Sequence, residues 1–269
     1  MNAMMMEIQA LAMRWFIHSK RRPVVLIAGL FQPFIWLVLF SAVFKNSPMQ
    51  ALVGADSYMG FITPGALVFT AFTGALNGGV PILFDRELGF LDRLLAAPLR
   101  SRFSIIWATG FHIFVMTLLQ CLVIVLVTGV MGVRFAGGIG GVGVFLLVLA
   151  LITMLFTTFS LMLAFVLRYH FELISIIMII SLPLMFMSTA FAPIDYMPSW
   201  LVFFVSVNPI TLAVEPLRAV FFQPEWQMGA VLLETPLFNL SMTGALGVLI
   251  GLNVVTALLA KGVIQKKLA

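Results

Sequence analysis

Six long stretches of this chain carry no charged side chain: 23–44, 57–84, 103–133, 135–167, 173–194 and 235–260. About 20 apolar residues in a helix cross the roughly 30 Å of a bilayer's hydrocarbon. The pattern therefore predicts six spanning helices over about 24–44, 58–84, 104–132, 142–167, 173–192 and 236–260. A seventh charge-free stretch, 196–214, opens Tyr196-Met197-Pro198-Ser199-Trp200 and contains Asn208-Pro209. Proline removes a backbone donor and breaks helix geometry. This stretch reads as short helices at the outer interface, or a re-entrant piece, within an extracytoplasmic segment 193–234. Ahead of the first span, Met4, Ile8, Leu11, Ala12, Trp15 and Phe16 recur at helical spacing, with Glu7, Arg14 and His18 off that face. That predicts an amphipathic helix over 1–22, lying in the cytoplasmic interface with Trp15 at headgroup depth.

Composition narrows the class. The chain is 62% hydrophobic and 9% charged, against about 25% charged in soluble domains. Its mean hydropathy is +1.14. The fold class expected is an all-α integral membrane protein. The net charge of +5 does not point to nucleic acid, because the basic residues sit at the ends of apolar runs. With six spans, one side holds 12 of the 15 Lys and Arg residues and the other holds only Lys45, Arg134 and Arg218. By the positive-inside rule both termini are cytoplasmic. The first apolar run follows a basic cluster at full spanning length without a small-residue cleavage site, so it reads as a span and not a signal peptide. The single cysteine, Cys121, lies inside an apolar run and cannot pair within the chain.

Little in the sequence carries chemistry of its own. No Gly-x-x-x-x-Gly-Lys-Ser/Thr phosphate loop occurs. His18, His112 and His170 lack metal-ligand spacing with one another or with Cys121. The chain is expected to have no catalytic residue, metal or cofactor. His112 lies within a span, where an ionisable group is a functional candidate; a neutral histidine bonded to a neighbouring helix fits as well. Gly74, Gly78 and Gly79, and Gly244, Gly247 and Gly251, let helices approach closely. No Asp or Glu falls in the six runs, which argues against an ion-driven transporter.

The most polar long segment is 85–102. From Glu87 to Ala97 three helical turns are possible, ended by Pro98. Phe90, Leu91, Leu94 and Leu95 share a face, with Asp92 and Arg93 away from it. Two readings stand at this point: an interfacial helix dipping its leucines into lipid, or an apolar ridge offered to a groove on a soluble partner. Farther on, Glu215 and Arg218 are one turn apart, either as a solvated pair or as part of a gate.

The run Glu87-Leu88-Gly89-Phe90-Leu91-Asp92-Arg93-Leu94-Leu95-Ala96-Ala97-Pro98-Leu99-Arg100 resembles the loop between the second and third spans of type-2 ABC exporter permeases. Asn208-Pro209-Ile210-Thr211-Leu212-Ala213-Val214-Glu215-Pro216-Leu217-Arg218 is similar to that family's Asn-Pro…Arg segment before the last span. The resemblance covers essentially the whole chain as a single transmembrane domain, nearest to the drug-resistance and nodulation-factor permeases. It implies a dimer of permeases, homo- or heterodimeric, in a bacterial-type inner membrane, with two cytosolic ABC ATPase subunits below that bind ATP and Mg. It implies that 85–102 is a coupling-helix loop. There Phe90, Leu91, Leu94 and Leu95 bury contact, Glu87, Asp92 and Arg93 orient it, and Gly89 and Pro98 frame it. Asn208, Pro209, Glu215 and Arg218 would belong to an outer gate. The implied function is ATP-driven export of a hydrophobic or amphipathic molecule such as a drug, a lipid or a lipid-linked compound. A glycoconjugate exporter and a non-transporting assembly factor are the alternatives.

Overall fold

A chain with no water around it satisfies its backbone groups internally, and helices do this segment by segment. The computed structural model describes residues 3–21, 23–44, 58–90, 103–234 and 239–268. Helices α1 (Ala3–Arg21), α2 (Pro23–Phe44) and α3 (Tyr58–Leu76) come first. A 3-10 turn at Asn77–Gly79 joins α3 to α4 (Val80–Glu87). Then follow α5 (Phe103–Val130), α6 (Gly138–Val166) and α7 (His170–Phe186). After a 3-10 turn at Ile194–Tyr196 come α8 (Ser199–Val207) and α9 (Pro209–Phe222). Strands β1 (Val231–Glu234) and β2 (Asn239–Ser241) lead into α10 (Met242–Leu268).

Five helical stretches among the described residues are long and apolar enough to cross a membrane: Ile27–Phe44, Tyr58–Glu87, Ser104–Val130, Gly138–Val166 and Met242–Lys266. The span expected at 173–192 is α7, 17 residues long, which reaches about 26 Å. The proline-broken stretch forms α8 and α9, bent by 80° at Asn208-Pro209. If the bent pair is taken as one crossing, the count of long candidates is six.

Two boundaries and one packing face differ from expectation. The last span does not begin at 236: β2 occupies Asn239–Ser241, antiparallel to β1 with Val231 opposite Ser241. The Ser241 hydroxyl accepts the Gly244 N–H at 3.1 Å and so caps α10 at its start. The second span runs on to Glu87 through the 3-10 turn, so Glu87 ends α4 and does not open the loop helix. Gly89, at φ +67°, breaks the chain there, since the left-handed region suits glycine.

The third difference concerns α1. Its predicted apolar face is buried against protein and not simply laid on lipid. Leu11, Ala12 and Trp15 pack with Ile82, Ile105, Ile106, Ala108, Ala260 and Ile264. A separate stripe of Met6, Met13 and Ile17 is exposed, so the helix has apolar surface left for a bilayer.

Helix α3 is the axis of the bundle. It is buried along nearly its whole length and touches α2, α5, α6 and α9. Outward faces of α2, α5, α7 and α10 carry exposed apolar residues, among them Phe31, Leu126, Ile179 and Leu258. Of the expected packing glycines, Gly247 and Gly251 meet nothing within 4 Å. Gly79 is the opposite case: a Cβ there would lie 2.5 Å from the Ser160 carbonyl oxygen. The Ser160 hydroxyl accepts the Gly79 N–H at 3.0 Å and donates to the Leu76 carbonyl. Gly79→Ala is expected to force α3–α4 and α6 apart and cost about 1–3 kcal/mol, read as a lowered melting temperature in micelles. An unchanged melt would show that this contact has slack.

Candidate coupling and gate sites

Three consecutive charged residues close the second span, and each reaches a different helix. Asp85 pairs with Arg14 of α1 at 2.5 Å. Arg86 donates through Nη1 to the carbonyls of Ala164, Phe165 and Leu167, at 3.3, 3.5 and 2.9 Å. The first two are carbonyls of the last turn of α6 and the third belongs to the residue that caps it; such carbonyls have no partner within the helix. A cation there also complements the helix dipole. Glu87 accepts the backbone N–H of His170, the first residue of α7, and its Oε2 lies 2.8 Å from the imidazole Nδ1. A carboxylate at a helix N-terminus is favoured by the same dipole. Phe84 stacks on the His170 ring at 4.0 Å. Within α7's own first turn, Glu172 accepts the N–H groups of Arg168 and Tyr169.

Segment 85–87 thus mounts the end of the second span on α1, α6 and α7. Arg14 also lies 4.3 Å from the centre of the Phe90 ring, and Phe90 remains 40% exposed. Leu91, Asp92, Arg93, Leu94, Leu95 and Pro98 lie outside the described residues. Glu87, expected to orient contact with a partner, is engaged with His170. Asp85, Arg86, Arg14 and His170 were not singled out by sequence reasoning; the unbroken charge run 85–87 is the signal for the first two. Arg86→Met is expected to uncap α6, costing about 1–3 kcal/mol, measured by chemical denaturation. A loss below a few tenths of a kcal/mol would mean water already serves those carbonyls.

At the other end of the bundle the Asn-Pro…Arg residues converge on one segment. Asn208 caps α9: its Oδ1 accepts the Ile210 N–H at 2.8 Å. Its Nδ2 donates to the carbonyls of Leu184 and Met187, at 2.7 and 2.5 Å. Pro209 follows at the first helical position, where its missing N–H is no loss. Arg218 bonds Glu215 and donates to the Thr189 carbonyl at 2.7 Å. Its guanidinium stands 3.9 Å from the Phe61 ring centre. Thr211 accepts the Thr189 N–H, and Tyr58 donates to the Phe191 carbonyl at 2.7 Å. The exit of α7, residues 184–191, is therefore clamped by α9 and the start of α3. The side chains of Arg218 and Glu215 are 15% and 7% exposed, so this is not a solvated surface pair.

His112 lies 2.9 Å, through Nε2, from the hydroxyl of Ser19; the neighbouring helix that holds it is α1. Among the described residues no group of three or more His, Cys, Asp or Glu is placed to hold a metal ion.

A bundle of long apolar helices, with a bent helix pair clamped at one end and a charged mount at the other, defines a multi-pass membrane protein. The profile of the ABC-2 type transporter family matches residues 6–222, and the chain belongs to that family. Three relatives are each named "Putative transport permease ycf38". The protein of Cyanophora paradoxa is 42% identical over 96% of this chain and 89% of its own length. That of Porphyra purpurea is 38% identical over 97% and 90%, and that of Pyropia yezoensis 37% over 99% and 91%. The chain is a transporter permease. Members of its family are typically non-catalytic transmembrane subunits, and membership implies association with an ABC ATPase subunit.

Proposed function

We propose that this chain is the permease of an exporter that moves a hydrophobic or amphipathic molecule outward, energised by two copies of a separate ABC ATPase. In this reading a second permease completes the pathway, and the mount end of the bundle faces the cytosol with both termini. Segment 85–102 is the coupling-helix loop, seated in a cleft of the ATPase that also holds ATP and Mg. The observation that carries the reading is the mount itself. A loop that only dips into lipid needs no rigid base, whereas one that transmits force does. Asp85, Arg86 and Glu87 tie the loop's base to α1, α6 and α7, so a push on the loop reaches three helices. The clamped exit of α7 is then the outer gate, held by Asn208, Pro209, Glu215 and Arg218.

The test is co-expression with an ABC ATPase from the same genome, followed by purification through a tag on the permease. A stable complex whose reconstituted vesicles accumulate an amphipathic dye only with ATP supports the reading. A chain that purifies without any ATPase, whichever candidate is supplied, would instead favour an assembly factor.

A further inference from the structure

Helix α7 is held most firmly at its two ends. Its exit is clamped by α9 and the start of α3. Between the ends, Phe171, Ile174, Met178, Leu182 and Phe186 are exposed. At its start α7 is tied to α4 through His170. The Glu87 carboxylate accepts the His170 backbone N–H, and its two oxygens lie 3.0 and 2.8 Å from the imidazole Nδ1. Phe84 stacks on the ring face at 27°. The imidazole is therefore fixed on one edge and one face by the same helix.

A nitrogen that faces a carboxylate carries the N–H of the neutral ring. The titrating proton then belongs to Nε2, which has no hydrogen-bond partner among the described residues. The His170 side chain is 32% exposed, so water supplies that proton.

The charges around the ring decide what the proton does. From α4, Glu87 is a full negative charge at 2.8 Å. Asp85 is paired with Arg14, and Arg86 is turned to the carbonyls that end α6. From α7's own first turn, Glu172 brings a second carboxylate, which holds the N–H groups of Arg168 and Tyr169. Arg168 is exposed, where water and salt screen it. The end of α6 brings no titratable side chain, and α3 carries only Tyr58, at the opposite end of the bundle. Against protonation stands the positive end of the α7 dipole, about half a charge; the contacting carboxylate outweighs it. A proton on Nε2 turns a neutral hydrogen bond into a charge-assisted one, roughly twice as strong. Histidine is the side chain that makes this change between about pH 5 and 8.

We propose that His170 is a proton-operated latch: acid on its side of the membrane tightens the tie between the second span and α7, and alkali loosens it. That this side is the cytosol, and that the latch tunes coupling, rests on the permease reading; the latch itself does not.

The test uses the full chain in phosphatidylcholine nanodiscs. Hydrogen exchange of the His170 amide, which Glu87 accepts, is read at pH 6 and pH 8 and corrected for the intrinsic pH dependence of exchange. Protection is expected to be greater at pH 6 on the order of fivefold, the step from a neutral to a charge-assisted hydrogen bond. His170→Asn keeps a donor near the Nδ1 position but cannot titrate, and its protection is expected to be the same at both pH values. Glu87→Gln keeps an acceptor without the charge and also flattens the difference, whereas His18→Gln retains it. Melting temperatures of the variants report folding separately. Equal or weaker protection at pH 6 in the wild type overturns the proposal. So does a difference that survives in a folded His170→Asn or Glu87→Gln variant, or one that vanishes with His18→Gln. Acid-strengthened protection in a chain that associates with no ATPase would leave the latch standing and sink the permease reading. ATP-driven export with no pH effect at the His170 amide would do the reverse.

Discussion

Leu94→Glu is expected to abolish export while leaving the permease folded. In the proposed complex Leu94 lies on the ridge that enters the ATPase cleft, and a carboxylate buried there without a partner costs several kcal/mol. At about 1.4 kcal/mol per tenfold, the productive contact falls by a factor of a hundred or more. The result sought is ATP hydrolysis that continues without accumulation in reconstituted vesicles, with Leu94→Met close to wild type. Because 85–87 are held by α1, α6 and α7, the substitution leaves the bundle itself intact, and the melting temperature stays put. Wild-type export by Leu94→Glu would place this loop outside the coupling path.

Arg218→Met is the second large effect. It strands the Glu215 carboxylate, whose side chain is 7% exposed, with its cation gone. Removing one member of a buried pair typically costs about 3–5 kcal/mol. Glu215→Gln is expected to cost less, because Arg218 keeps the Thr189 carbonyl and the Phe61 ring. Combining Arg218→Met with Glu215→Leu should recover much of the loss, since no charge is then left unpaired. Denaturation in micelles measures all three. A cost under 1 kcal/mol for Arg218→Met would match an exposed pair and would contradict the burial seen here.

How far the sequence could be read follows from what each residue touches. The spanning helices were legible because charges bracket them, and the 80° break was legible because Pro209 follows Asn208. The cap that starts α10 was not: Ser241 works through one local hydrogen bond, hidden inside an apolar run. Glu215 and Arg218 could be paired by spacing alone, but their burial depends on Phe61 and Thr189, far away in the chain. The same holds at the mount. The run Asp85-Arg86-Glu87 was visible as polarity, yet its partners sit 71 to 83 residues away. Trp15 illustrates the limit from the other direction. Its helical face was correctly drawn, but amphipathic spacing does not distinguish a bilayer from the flank of a neighbouring helix.

The three attachments of segment 85–87 differ in kind: an ion pair, a cap on helix carbonyls, and a carboxylate at a helix start. Unlike fastenings fail under unlike insults. Salt weakens a half-exposed ion pair but has little hold on a guanidinium seated among carbonyls. Losing the helix-start contact leaves the other two in place. The joint therefore has redundancy without repetition, and single substitutions there should give graded impairment, with collapse reserved for changes that remove two fastenings at once.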